Sequence, residues 1–384
     1  MKPDDFVAPF PGELAKFPDS RGADAWAFIP AQLPVDIPAD DEITSAAVAA
    51  AIALGSLDGS ALHVQNPALF LRPFISREAL ASSRIEGTRA DYNQLIIFEA
   101  AEDDENADPD IQEVRNYIQA LYEGWQVTER PFTPGLIMDL HRILLSGVRG
   151  ERKNPGQLRQ SPVFIGSPLD TAQSARFIPP PASEVRPLLE NLCEYVESES
   201  PVATLIRIAI IHYQFETIHP FLDGNGRLGR LLIPLILHRW NLLSKPMLYV
   251  SEYFEHHRDA YIDHLYRVSQ QGAWKDWILF ALKAIETQAI DAQQRSKQLW
   301  MLRERWLSEH RSGHTGPIIE ALFARPAITV KKASEVAGIT PAAAGRIMKR
   351  LEEEGIVVEV TGGQRNRVFL ADTIAHIILQ PSEY

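Results

Sequence analysis

Residues 219–230 read HPFLDGNGRLGR, a string that sets a histidine, a carboxylate and two arginines beside bare backbone. Glycines at 224 and 226 let main-chain amides approach a ligand closely. The apolar run after Arg230 places a helix start at about Asn225, and an open helix N-terminus binds anions, phosphates above all. Arg227 and Arg230 are three apart, so the spacing predicts that they share one face of the first turn. Both can grip phosphate oxygens in pairs. Asp223 stands on the rim, and one carboxylate with phosphate oxygens is the usual way to hold Mg2+. His219 closes the preceding apolar helix, where a neutral imidazole can take a proton from an incoming hydroxyl. A bare DGNG would be a capped loop between two helices. The full string reads as a nucleotide polyphosphate site with a base poised over one phosphate.

Such a site needs helices on both sides. Upstream, VATLIRIAIIHYQFETI is apolar nearly all round and reads as the central buried helix, running straight into His219. Downstream, LLIPLILHRW reads as a second buried helix. Residues 155–181 change character: SPVFIG and ARFIPP flank a polar, turn-rich centre, which predicts an irregular β-hairpin in a helical body. Helical patterns also occur at DDEITSAAVAAAIALGSLDG, ending near Gly55 or Gly59, and at ISREALASSRIEGTRADYNQLIIFEAAE, interrupted near Gly87. Two more follow at IQEVRNYIQALYEGW and TPGLIMDLHRILLSG. The stretch EDDENADPD reads as a solvated loop. The proline-rich first 40 residues lack periodicity and read as an extended arm lying over the surface, or partly disordered.

The chain has 384 residues and a net charge of −12. This length suits two or three domains, and the acidic balance argues against wholesale non-specific nucleic-acid binding. The single cysteine, Cys193, lies on the apolar side of a helical pattern and excludes a disulfide within the chain, which fits a reducing cytoplasm. The N-terminus lacks a signal-peptide pattern, and LLIPLIL is far short of the ~20 residues of a membrane span, so no membrane role is expected.

Near the C-terminus, VKKASEVAG and TPAAAGRIMKRLEEEG read as two helices, and IVVEVTGGQRNRVFL as two strands about a Gly-Gly turn. The order resembles a winged helix-turn-helix. Arg346, Lys349 and Arg350 on its second helix, with Arg365 and Arg367 on the wing, form a local basic footprint. The acids of LEEEG and the bland start TPAAAG weigh against base reading, so DNA binding, protein contact and homodimer packing all stay open.

HPFLDGNGRLGR matches every defined position of the Fic motif, HPFx(D/E)GNGRxxR, and the likeness spans roughly residues 40–290. The chain therefore resembles the Fic family. The resemblance implies a mainly α core with a β-hairpin flap at about 156–178, and transfer of AMP from ATP to a Tyr, Thr or Ser hydroxyl of a target protein. By that resemblance His219 is the general base and Asp223 holds Mg2+ between the α- and β-phosphates. Gly224, Asn225 and Gly226 form the anion hole, and Leu228 and Gly229 complete the nucleotide-binding string. Arg227 and Arg230 would meet the β- and γ-phosphates. The flap pins an extended target segment by strand addition. Positional matching puts SEYFEHH near the adenine, with His256 as its contact, where many relatives carry asparagine.

Ser82, Glu86 and Gly87 in SSRIEG match the family's inhibitory pattern, (S/T)xxxE(G/N). Four residues apart, Ser82 and Glu86 share a helix face, and a carboxylate offered to Arg230 would take the γ-phosphate's place. The expected organisation is an N-terminal arm and inhibitory helix at 1–110, a catalytic core at 111–290, a helical linker at 291–312 and a winged unit at 313–384. Other readings remain beside AMP transfer: removal of AMP, alone or with transfer, transfer of another phosphate-linked group, and an ATP-sensing DNA-binding regulator.

Overall fold

The computed structural model describes residues 1–7, 11–18, 24–38, 40–63, 68–101, 108–127, 129–166, 171–310, 313–363 and 366–382. Most of EDDENADPD, the tip of the 156–178 hairpin and Arg365 lie outside the described residues.

Two helices make the centre. Helix α7 (Thr204–Ile218) is buried on almost every side, and α8 (Asn225–Arg239) packs against it. Around them lie α1 (Asp41–His63), α2 (Ala68–Ile85), α3 (Tyr92–Ala101), α4 (Pro109–Gln126), α5 (Pro134–Leu144) and α6 (Ala182–Glu197). Helices α9 (Ser251–His256), α10 (Arg258–Gln271) and α11 (Trp274–Glu309) close the other side. Local chemistry sets several starts. Asp108 and Thr133 accept from Asp110 N and Leu136 N, and each is followed by a proline whose missing N–H costs nothing at that position.

Helix α1 runs through Gly55 and Gly59 rather than stopping at either. Its inner face, including Ile43, Ala50, Leu54 and Leu57, is buried along α11, and that packing overrides the glycines' poor propensity. By length and composition Asp41–Ser60 could cross a membrane, a feature the search for a single apolar run overlooked.

The N-terminal arm is not irregular. Strands β1 (Gly12–Pro18) and β2 (Asp24–Pro30) pair antiparallel, from Gly12 opposite Pro30 to Pro18 opposite Asp24. Phe28 N–H donates to Ile178 O at 2.9 Å. Phe6, Phe28, Phe177 and Ile178 form a small apolar cluster that joins this arm to the flap. Among the described residues of the flap the regular pairing is one bridge, Ile165 with Phe177.

The C-terminal unit is a winged helix: α12 (Thr315–Ala324), β3 (Ala327–Thr329), α13 (Val330–Ala337), α14 (Pro341–Glu353), β4 (Val358–Glu359), β5 (Val368–Leu370) and α15 (Asp372–Leu379). Its sheet runs β3-β5-β4. It is not held away by a linker. Helix α11 passes unbroken through residues 291–309, burying Leu299, Leu302 and Trp306, and α12 packs on α2 while β3 and β5 pack on α3. Arg295 pairs with Asp291 and donates to the carbonyls of Ile377 and Gln380 beyond α15. Arg77 of α2 meets the same Asp291 at 2.7 Å and Ser382 Oγ at 3.0 Å. The boundary expected at 110/111 likewise falls inside α4.

Candidate active site

Helix α7 ends at His219, which adopts a left-handed conformation with φ 49°. Its Nδ1 lies 3.2 Å from the Glu216 carbonyl, which can only accept, so the proton sits on Nδ1 and Nε2 keeps its lone pair. Burial, with the nearby Arg159 charge, holds the imidazole down at about 4. It is therefore neutral, in the base form, across the neutral range.

The loop from Pro220 to Gly224 is tied by its own side chains. Asn225 Oδ1 accepts from Phe221 N–H and its Nδ2 donates to Phe221 O, both at 2.9 Å. The Asn225 side chain thus closes the loop instead of offering itself to an anion. His141 of α5 braces the loop from outside. Its Nδ1 accepts from Gly156 N–H at 2.8 Å, so Nε2 carries the proton and donates to Asp223 O at 2.9 Å. Gly224 turns with φ 78° to start α8.

The two arginines separate. Arg227 is buried and pairs with Glu113 of α4 at 3.0 Å, with Asp223 at 3.6 Å behind it. Glu113 also accepts from Thr88 Oγ1 at 2.9 Å. Arg230 turns to α2 instead: Nε donates to Ser82 Oγ at 2.9 Å, and Nη2 to Ser82 O at 2.8 Å and Glu86 Oε1 at 2.7 Å. Both arginines point into the core from the first turn of α8, but each guanidinium pairs with a different helix's carboxylate, Glu113 for Arg227 and the partly exposed Glu86 for Arg230. Leu228 is also a core residue, wholly buried.

Glu86 sits where the backbone is barest. A Cβ on Gly226 would stand 2.2 Å from its Oε1. Burial raises the Glu86 carboxyl, but Arg230, with Arg227, outweighs it and holds the group below its ordinary 4.5. Gly87, at φ 93°, ends the helix, and Arg258 Nε donates to Ile85 O at 3.1 Å. Two turns inside, Glu78 is buried and accepts from Tyr117 Oη at 3.0 Å and Ser251 N–H at 3.1 Å. Glu78, Ser82 and Glu86 are spaced by four, so they share the inward face of α2, and Glu78 fixes the rotation that aims the other two.

A cavity of about 660 Å³ opens over this pairing. Glu86, Glu216, His219, Gly226 and Arg230 form its polar end; Ile165 and Phe177 of the flap face Tyr261 and Ile262 of α10 across it. Glu216 has Oε1 buried without a partner, and burial pushes its carboxyl up to about 8. His256 is not here. It lines a separate groove with Arg84, Glu255 and Pro381, because α9 ends before the chain turns toward the cavity, and its place there is taken by Arg258 and Tyr261.

A divalent cation would find one carboxylate, Asp223, whose side chain is about one third exposed. Among the described residues no cluster of three His, Cys, Asp or Glu side chains could hold a metal alone, including at His256, His257 and His264. A single carboxylate completed by phosphate oxygens fits Mg2+ chemistry. Sequence reading missed Glu78, Glu113, His141 and Arg159. Glu113, His141 and Arg159 lie far along the chain from the motif they support, while Glu78 stands one turn before Ser82, and none belongs to a short pattern.

A family model described as Fic/DOC family N-terminal matches residues 44–126, and one described as Fic/DOC family matches 131–237. A third, described as winged helix-turn-helix DNA-binding, matches 318–358. A probable protein adenylyltransferase of Aquifex aeolicus is 26% identical over 211 residues, covering 53% of this chain and 58% of its own length. Protein adenylyltransferase fic-1 of Caenorhabditis elegans is 32% identical over 105 residues, 27% of this chain and 18% of that one. The chain thus spans less than two thirds of either curated relative. Among solved structures, a Fic family protein from Desulfovibrio desulfuricans G20 superposes with a TM-score of 0.52 at 21% identity, over 87% of this chain and 97% of that one. Fic-1 of C. elegans gives a TM-score of 0.52 at 19% identity, over 68% of this chain and 74% of that one. These likenesses concern the fold.

Proposed function

We infer that this chain, a Fic/DOC-domain protein with a C-terminal winged helix-turn-helix domain, transfers AMP from ATP to a hydroxyl of a target protein and is held inactive by Glu86. The observation that carries the reading is one cavity holding a neutral His219 with Nε2 open and an Arg230 occupied by a carboxylate.

In transfer, the target hydroxyl attacks the α-phosphorus. Its proton passes to His219 Nε2, the new O–P bond forms, and the bond to the β-phosphate breaks with pyrophosphate leaving. The amides at the start of α8 face the developing charge, and Arg230 would hold the γ-phosphate. Asp223 would hold Mg2+, which supplies neutralising charge to the phosphates. The flap, with Ile165 and Phe177 on the cavity wall, would lay the target segment across the site as an added strand.

Glu86 blocks this in two ways: it removes Arg230 from the γ-phosphate, and it sets a negative charge where ATP's own must go. A nucleotide admitted beside it is misplaced for in-line attack, and a ~1 Å error costs about 100-fold. The test is α-phosphate-labelled ATP in lysate with wild type, Glu86→Gly, and Glu86→Gly with His219→Ala. Strong labelling only by the first variant is the expected result. A Glu86→Gly protein no more active than wild type, on itself and on every candidate target, would sink the reading.

AMP removal is the second reading, favoured by Glu86 lining the same cavity as His219, where its carboxylate can orient a water. It predicts the opposite response, loss of removal in Glu86→Gly. We place the protein in the cytoplasm, since Cys193 is buried with its thiol pushed up by that burial and has no disulfide partner in the chain.

A further inference from the structure

Arg159 lies near the start of the flap and is only 1% exposed. Its guanidinium meets carbonyls alone: Nε donates to His219 O at 2.8 Å, Nη2 to Pro180 O at 2.6 Å and Ile218 O at 3.2 Å, and Nη1 to Ser161 O at 3.4 Å. Its backbone N–H donates to Pro220 O at 3.0 Å. Among the described residues no carboxylate pairs with it, and burial draws it down to about 10, still charged at neutral pH. Burying a cation without a counter-charge is costly, so the fold needs what it does there.

The acceptors show the use. Ile218 O and His219 O are orphan carbonyls at the C-terminus of α7, where a cation is favoured. His219 itself holds a left-handed conformation, which is unfavourable in a residue with a Cβ. The other two acceptors, Ser161 and Pro180, stand at the two ends of the flap.

We propose that Arg159 is a positioning residue for adenylyl transfer: it holds His219 in its left-handed turn and locks that turn to both ends of the flap, so the base and the docked hydroxyl share one frame. The proposal rests on the transfer reading above. Arg159 touches neither ATP nor the reacting atoms, so its loss acts on orientation rather than on nucleotide affinity.

The experiment uses the full chain carrying Glu86→Gly, with Arg159→Met and Arg159→Lys added separately. It measures the ATP Kd, the ATP KM, kcat for AMP incorporation, and Tm. Arg159→Met should lower kcat on the order of 100-fold, the scale of a ~1 Å misplacement, with ATP Kd within roughly 3-fold of the parent. Arg159→Lys, which keeps the charge and one or two of the bonds, should recover part of kcat. A kcat within roughly 3-fold of the parent in Arg159→Met overturns the proposal, as does joint loss of ATP binding and kcat in both variants. If the methionine variant does not fold, the lysine variant decides by the same split: lowered kcat with ATP binding kept supports positioning, anything else overturns it. A failure of the transfer reading shows separately, as absent labelling by the Glu86→Gly parent, and takes this inference with it.

Discussion

Glu86 Oε1 lies 2.7 Å from Arg230 Nη2, and the space it fills is the space a side chain on Gly226 would need. The inhibitory carboxylate and the bare backbone of the anion site are therefore one contact. Ser82 adds two further bonds to the same guanidinium, so α2 grips Arg230 from two successive turns.

Gly226→Ala should loosen the inhibitor without activating the protein. The added Cβ would meet Glu86 Oε1 at 2.2 Å, and the end of a flexible side chain moves aside. The same methyl group then stands where phosphate must approach the amides. AMP incorporation should stay at wild-type level, and ATP binding should be about 10-fold weaker, or ~1.4 kcal/mol, in Gly226→Ala/Glu86→Gly than in Glu86→Gly alone. Calorimetry checks the second point. Activation of the single variant would show that the amides do not need that space.

Mild acid should not release the inhibition. Arg230 depresses the Glu86 carboxyl below its ordinary 4.5 against the opposing effect of burial. For a depressed acid the pairing is fully present above the unfolded value and is lost only as pH falls through the folded one. Wild type should thus remain inactive from pH 8 down to pH 5, measured against Glu86→Gly at each pH. A rise in the wild-type fraction of that activity by pH 5.5 would contradict the pairing.

Glu216→Gln should stabilise the fold, and more so in alkali. Burial raises this carboxyl from its ordinary 4.5 to about 8. The unfolded chain releases the proton first, so a penalty is absent below about 4.5 and grows until about pH 8, where it reaches on the order of a few kcal/mol. An amide carries no such penalty. The gain in Tm over wild type should be a few °C larger at pH 8.5 than at pH 5, since each ~1 kcal/mol moves the Tm of a large domain by about 2 °C. An equal gain at both values would mean that Glu216 is ionised in the folded protein.

Arg77→Ala should raise AMP incorporation part of the way toward Glu86→Gly. Arg77 ties the outer side of α2 to Asp291 and to Ser382 beyond the winged unit, while Glu78 ties the inner side. Removing one partner of a buried pair costs roughly 3–5 kcal/mol, so Tm should fall as well. A lower Tm with transfer still at wild-type level would mean that the C-terminal unit does not steady the inhibitory helix.

The chemistry around His219 was legible because it is local. Twelve contiguous residues contain a helix end, a turn and a helix start, and each has its own short-range rule. Ser82 and Glu86 were legible for the same reason, since a separation of four on a helix puts two side chains on one face wherever the helix goes. The winged unit's two central helices were equally clear from VKKASEVAG and TPAAAGRIMKRLEEEG, the second opened by Thr340 and Pro341. What lay beyond reach was direction. Spacing put Arg227 and Arg230 on one face, yet the choice between Glu113 on α4 and Glu86 on α2 depends on which helix packs where. His256 was misplaced because a one-residue helix break at His257 decides which groove the side chain enters. The pairing of the first two strands was hidden because Phe6 and Phe28 find cover against Phe177 and Ile178 of the flap, more than a hundred residues away. Arg159 shows the limit most clearly: a lone arginine in PGQLRQSP has no pattern to mark it. Its role exists only once folding brings four carbonyls, from both ends of the flap and the end of α7, around one buried charge.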